Sequence, residues 1–382
     1  MVEYAGGMAG NSTRLDEILR RATAEPRALS HDDLKLLVSL TDEGEVKAMR
    51  DAAYELKVRH CGKVVSMRGI IEMGNVCSKD CHYCGIRKSN PCIERYSLSV
   101  DDVVRLAKID IAERYASLVL QSGEIESEAH TSFIEECLRR IQSLPGGPLG
   151  ITLSLGEQEE SVYARWKAAG ASRYLLRIET SNPKLYAKLH PADHSWARRD
   201  ECLDALRRCG YQVGTGVMSA LPGQTADDLA SDIEYFARKD VDMIGMGPFI
   251  PHHDTPLADS ADTGMPKDAD RRRRLRLGLN MISATRLHLH DVNIAATTAL
   301  QALADDGREQ GVLAGANVMM PNITDTAYRR KYQLYDGKPC LDENSLACRF
   351  CLERRLAAIG EKINYSKRGD SAHFFSRTGR PD

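Results

Sequence analysis

No stretch of this sequence approaches the ~20 consecutive apolar residues that a bilayer-spanning helix requires. The N-terminus, MVEYAGGMAGNSTRLDE, lacks the positive leader and apolar run of a secretory signal. Membrane insertion and export are therefore not expected, and residence in the cytoplasm is. An excess of one charge is missing too. With 52 Lys and Arg against 54 Asp and Glu, the net charge of −2 provides no electrostatic footprint for nucleic acid. The basic run Arg271 to Arg274 follows Asp268 and Asp270 and reads as a solvated helix start. There is no internal repeat, low-complexity tract or obvious linker. The 382 residues, 42% of them apolar, exceed one average domain but suit a (β/α)8 barrel with an extension at each end.

Cysteine, by contrast, is plentiful: 11 residues in a chain expected to meet a reducing compartment. Disulfides are disfavoured there, so clustered cysteines point to metal or chemistry. Cys77, Cys81 and Cys84 form one cluster, and Cys340, Cys348 and Cys351 form another. Cys61, Cys92, Cys137, Cys202 and Cys209 are scattered and read as small core residues, Cys92 lying just past the first cluster.

The first sixty residues read as helices, with Ser12 and Ser30 as caps and a third helix opening at Glu43. Short β-branched or apolar runs then alternate with amphipathic helices: 64–73, 116–121, 149–155, 173–179, 211–221, 241–247, 292–296 and 315–320. Buried parallel strands read as continuous apolar runs. Eight such units favour a closed TIM barrel over an open sheet. The expected division is a helical extension over 1–60, a barrel over 61–335, and a C-terminal segment over 336–382 carrying the second cysteines. The tail after Arg368 reads as a surface extension.

The first cluster, NVCSKDCHYCGIRKSN, begins a few residues past the end of strand one, on the face where barrels of this kind place their sites. A structural zinc site needs four ligands, and this cluster offers three. Three thiolates on a four-iron cube leave one iron open to an outside ligand. Polar groups recur where later strands end: Gln121-Ser122-Gly123-Glu124, Ser154, Arg177 and Glu179, Thr297 and Thr298, and Met320 ahead of Asn322. Charges at the end of an apolar strand are costly to bury unpaired, so Arg177 and Glu179 are expected to bind something. The adjacent His252 and His253 suggest a metal site, but neighbouring histidines seldom point the same way, and a loop-structural role is the expectation. The second cluster, spaced C-x7-C-x2-C, again has three thiolates. It admits a [2Fe-2S] or [4Fe-4S] cluster with another fourth ligand, a zinc ion, or no metal.

The C-x3-C-x2-C spacing, with Tyr83 before the third cysteine, resembles the signature of the radical S-adenosylmethionine (SAM) superfamily. From about residue 50 to 355 the chain further resembles the HydE family of radical SAM [FeFe]-hydrogenase maturases. The motifs are LVLQSGE, TLSLGE, RYLLRIETSNP, ALPGQTADDL, MIGMGPFIPHHDTPL, NIAATTAL, GANVMMPN and YQLYDGKPC. The resemblance implies that Cys77, Cys81 and Cys84 hold a catalytic [4Fe-4S] cluster. Ser122, Ser154, Glu179 and Arg199 would bind SAM, with Tyr83 and Met320 lining its pocket. Arg68, Thr152, Arg177, Thr297, Thr298, Tyr332 and Tyr335 would line a substrate cavity, and Cys340, Cys348 and Cys351 would hold an auxiliary cluster. It also implies a small cysteine-bound iron complex as substrate, with sister maturases and an electron donor as partners. Biotin-synthase-like sulfur insertion and a methylornithine-synthase-like mutase are the nearer alternatives, and a non-catalytic iron–sulfur scaffold a distant one. The second cysteine cluster favours HydE.

Overall fold

The alternation of strands and helices closes on itself in the computed structural model. It describes residues 6–146, 148–261, 263–342 and 345–379, with side chains described throughout these except at 6–12, 261 and 345–349. Strands β1 (Val64–Met67) and β2 (Gly69–Gly74) flank Arg68; the remaining strands are β3 (Ser117–Ser122), β4 (Gly150–Ser154), β5 (Arg173–Leu175), β6 (Gln212–Thr215), β7 (Met218–Ser219), β8 (Met243–Ile244), β9 (Gly247–Pro248), β10 (Asn293–Ile294), β11 (Val318–Met319) and β12 (Lys362–Ile363). Seven of these form one parallel sheet in the order β10-β8-β6-β5-β4-β3-β2. The ring is completed by β1, which leads into β2 and pairs parallel with β11 at Ser66↔Val318, while a bridge at Ala295↔Val318 joins β11 to the β10 segment. Eight chain segments thus make a closed parallel barrel, all eight at the positions expected from the apolar runs.

The helices between them start where the sequence signals. Ser99 and Thr225 each close a capping box, with Asp102 and Asp228 returning the hydrogen bond. Leu229, Ile233 and Phe236 are buried along one face of Ala226–Arg238, the i, i+4, i+7 stripe that faces a core. At the N-terminus, α1 (Gly6–Ala24) begins upstream of Ser12, α2 (His31–Ser39) is capped by Ser30, and α3 (Glu43–Cys61) is capped by Asp42. These three pack against the long helix Lys267–His288.

Most barrel strands are shorter than their apolar runs, β5 and β6 with the largest effect on the site. β5 ends at Leu175 and β6 at Thr215, and Glu179 sits at φ 66°, the left-handed region that a side chain rarely adopts. Its neighbours then leave the ladder, and β7 pairs with β9 as a separate layer above the barrel. Arg177 and Glu179 therefore lie outside the strand, on an irregular rim, whereas Ser122 and Ser154 end β3 and β4.

The tail after Arg368 is not a surface extension. Arg68 and Arg173 are fully buried in the barrel interior, and such cations need a counter-charge. The tail supplies it: Asp370 pairs with Arg173 and accepts from Gln212 Nε2 at 2.7 Å, while Gly369 O accepts from Arg68 at 3.1 Å and from Asn293 at 3.0 Å. These contacts lie at the first residues of β5, β6 and β10, so the tail seals the pole opposite the cysteines. Removing this carboxylate leaves Arg173 buried without its anion. Asp370→Ala is accordingly expected to cost about 3–5 kcal/mol, read as a drop in the urea midpoint. Burial alone would raise the Asp370 carboxyl, but Arg173, Gln212 and Arg368 together hold it below its ordinary value. Its contribution is thus complete above about pH 4, the unfolded value, and disappears as pH falls through the depressed folded one.

Candidate active site

The cysteines of the first cluster lie on a loop that leaves β2 at Gly74, and buried polar groups hold that loop. Asn75 donates to Glu94 O at 2.9 Å and Lys331 O at 2.7 Å, and its own Oδ1 accepts from Tyr96 N at 2.8 Å. Arg95 donates to Asn75 O and Arg87 O at 2.6 Å and to Ile86 O at 2.8 Å, collecting the two ends of the loop around one guanidinium. The loop after β3 presses against it. A Cβ on Gly123 would lie 2.1 Å from Val76 O and 2.8 Å from Cys77 Cβ, where nothing but backbone can give way. Gly123→Ala should therefore fold but push Cys77 aside, so that anaerobic reconstitution yields a reduced iron content against wild type.

Burial pushes the Cys77 thiol up, the Cys81 thiol up to about 12, and the Cys84 thiol well above its ordinary value, with Cys81 and Cys77 adding to the last. Without metal these are neutral thiols; a bound cation deprotonates its ligands and reverses that balance. The backbone N–H of Glu124 points at Cys77 Sγ at 3.4 Å, a donor suited to a thiolate. The donor spacing separates the possible metals. A tetrahedral zinc would hold its thiolates about 3.8 Å apart. Among the described residues, the only three potential ligand atoms lying within 4.8 Å of one another belong to His252, His253 and Asp336. At least one pair of the three thiols therefore lies more than 4.8 Å apart, beyond a single zinc ion's shell and compatible with separate corners of an iron–sulfur cube. The site fits a three-thiolate cluster.

Around the loop stands a buried network of which the sequence singled out Arg199 and Glu124 but not Lys79 or Glu157. Arg199 Nε donates to Glu157 at 2.7 Å and NH2 lies 3.6 Å from Glu124; Lys79, from between the first two cysteines, reaches both Glu124 and Glu157 at 3.1 Å. Two cations and two carboxylates cancel. Their environments are unequal: burial raises the Glu124 carboxyl, whereas Arg199 and Lys79 overcome burial at Glu157 and lower it. Over the same loop, Tyr83 packs on an apolar group made of Leu185, Leu189, Met218, Leu221, Phe249 and Leu257, which keeps water from that side.

The rim brings several expected residues together. Arg177 lies 3.0 Å from Glu179 Oε2, which makes no aligned hydrogen bond, and donates to Val217 O at 3.1 Å. Thr298 and Tyr335 share a hydrogen bond of 2.7 Å, and Gln121 donates to Tyr332 at 3.1 Å. Burial pushes the Tyr335 hydroxyl up to about 12. Thr297 donates to Met246 O at 3.2 Å and Ser122 to Gly123 O at 2.7 Å. Ser154 and Met320 are half-buried, at the end of β4 and just past β11. Arg68 and Thr152 stand apart from this group. Thr152 accepts from Arg173 at 3.1 Å, so both belong to the layer tied to the tail. Of the second cluster, Cys340 and Cys351 are half-buried, and the Cys348 side chain lies outside the described residues.

The Radical SAM superfamily profile matches residues 71–236, the half of the barrel that carries this loop. The crystal structure of methylornithine synthase superposes with a TM-score of 0.76 at 21% identity, covering 91% of this chain and 98% of that one. That of HydG, a maturase of the [FeFe]-hydrogenase, gives 0.76 at 18% identity, covering 97% and 78%. Both likenesses are of fold. By sequence, the chain is 25% identical to a biotin synthase of Corynebacterium glutamicum, over 81% of this chain and 89% of that protein. A three-cysteine cluster loop at the mouth of this barrel defines a radical SAM enzyme, and that is the class of the chain. The [FeFe] hydrogenase maturase subunit HydE of Thermotoga maritima is 41% identical over 346 residues, 91% of this chain and 94% of that protein. The chain belongs to the HydE family.

Proposed function

We propose that this chain acts in assembly of the [FeFe]-hydrogenase active site, reductively cleaving SAM and acting on a small cysteine-bound iron complex carrying CO and cyanide. The observation that carries the reading is the set of three half-buried thiols on one loop beside a polar rim. Cys77, Cys81 and Cys84 would hold a [4Fe-4S] cluster, which when bound would supply the electron for reductive cleavage of SAM. The protein's part is to position and to exclude competing reactants. Glu179, held in a strained conformation with one oxygen unaligned, faces the site as an acceptor for the amino or ribose groups of SAM. Ser122, Ser154 and Arg199 complete that pocket, with Tyr83 and Met320 against its apolar parts. Arg177 offers a fork for a carboxylate, and Thr297, Thr298, Tyr332 and Tyr335 line the adjoining cavity. Arg68 and Thr152 would form the floor of that cavity, above the tail. Cys340, Cys348 and Cys351 would hold an auxiliary cluster dispensable for cleavage. Sister maturases and an electron donor are the expected partners.

The test is anaerobic reconstitution with iron and sulfide, followed by assay of deoxyadenosine with and without the iron–cysteine complex. Cleavage accelerated by the complex supports the reading. Cleavage that ignores it but is coupled to dethiobiotin or lysine moves the chain to the biotin-synthase or methylornithine-synthase reaction.

A further inference from the structure

The expectation that His252 and His253 diverge is not met. Their rings stack in parallel, with centroids 4.6 Å apart and planes at 14°. The turn that causes this is tight: Thr255 N and Oγ1 both donate to His252 O, and Asp254 N donates to His252 Nδ1 at 3.1 Å. Asp336 comes from the segment after the last barrel strand and completes the group. Its Oδ1 lies 2.7 Å from His253 Nδ1 and its Oδ2 accepts from His253 N at 3.0 Å. One ring nitrogen of each histidine and one oxygen of Asp336 lie mutually within 4.8 Å. Stacking two imidazoles is unfavourable once both are charged, so the arrangement suits neutral rings offering lone pairs.

From this juxtaposition we infer that His252, His253 and Asp336 form a second metal site, separate from the cysteine clusters, for a borderline first-row divalent cation such as Zn2+. Two imidazoles and one carboxylate select that class over Mg2+ or Ca2+, which prefer all-oxygen shells. His252 is buried and fixed, whereas His253 and Asp336 are open to solvent, so an ion has an entry path and free positions for water. In the metal-free form, Asp336 is held by the His253 hydrogen bonds that an ion would replace.

The place matters because three separate segments meet there. The His252 ring packs on Gly85, immediately after Cys84, so closely that a Cβ on Gly85 would lie 2.4 Å from it. Gly85 N donates to Leu334 O and Asp336 N to Pro251 O, each at 3.0 Å. A cation would pin the 251–257 loop to the 332–336 segment directly outside the cluster loop. It would also fix Tyr335, next to its ligand, on Thr298.

Cobalt is the probe, added anaerobically to enzyme whose cysteines have already been loaded by reconstitution with iron and sulfide. The expected result is d–d absorption without thiolate-to-cobalt charge transfer, displaced by Zn2+. In His253→Ala and Asp336→Asn, both surface changes, affinity should fall by more than the roughly 10–100-fold that loss of an outer-sphere partner costs. Unchanged iron content shows that the barrel and cluster are intact. Absent binding, a thiolate spectrum, or an isotherm that neither substitution alters would overturn the site.

Discussion

Cys77→Ala is expected to abolish deoxyadenosine formation from SAM under reducing conditions, a loss of several orders of magnitude rather than a change in KM. The reason is ligand count. In the proposed site three thiolates would be the whole protein contribution to the cluster, so loss of one leaves two. The nearest donors to its sulfur are the N–H groups of Lys79 and Glu124, which stabilise a thiolate but cannot ligate iron. Cys92 provides the contrast. It is exposed, not in the core as its sequence suggested, and its N–H is accepted by Asn90 Oδ1 at 2.9 Å. Cys92→Ala should retain wild-type iron and cleavage. Full activity in Cys77→Ala would remove the assignment, whatever the behaviour of Cys92.

The second large effect is expected at Glu157, a residue with no contact to a reacting group. Glu157→Ala leaves Arg199 and Lys79 buried with only Glu124 between them, and Glu124 is itself raised by burial. Breaking a buried pair from one side costs about 3–5 kcal/mol, because the remaining charge is uncompensated. The Arg198–Glu159 pair, one residue before Arg199 and two after Glu157, tests whether burial is the cause. Its members are 38% and 70% exposed, and Glu159→Ala should cost about 0–1 kcal/mol despite a shorter contact of 2.6 Å. The difference is measurable as the two urea midpoints. In whatever Glu157→Ala protein stays folded, Arg199 is free to turn away from the site, so SAM should bind more weakly. Equal costs at the two positions would mean that the buried network does not organise the loop.

The barrel was readable because its signals are local. Each parallel strand announces itself as an apolar run, and Ser30, Ser99 and Thr225 mark helix starts by a hydroxyl with an acidic residue three positions on. The three cysteines and the rim residues Arg177 and Glu179 were visible for a related reason, chemistry placed where an apolar run stops. Lys79, Glu157 and Arg95 were not, since each looks like an ordinary surface charge in its own segment. Their meaning comes from partners 42 to 78 positions away, or from carbonyls that no pattern displays. One signal was available: Glu72 interrupts an apolar strand, and it takes Lys338 and Asn322 as partners. The same physics misled at the tail. GDSAHFF is polar enough to look solvated, yet its carboxylate pairs with Arg173 at the start of β5 and its Gly369 carbonyl accepts from Arg68 between β1 and β2. His252 and His253 show the limit of rules about neighbours, because a hydrogen-bonded turn overrides the usual divergence.

The account stands on a cluster iron left open by the protein and taken by SAM. Electron–nuclear double resonance on the reduced, reconstituted enzyme addresses this directly, using SAM labelled isotopically in its amino and carboxylate groups. Hyperfine coupling from both labels to the cluster is the predicted result, present in wild type and lost when unlabelled SAM is exchanged in. A cluster that shows no coupling to either label, or that carries a protein nitrogen, oxygen or fourth sulfur on that iron, would contradict it.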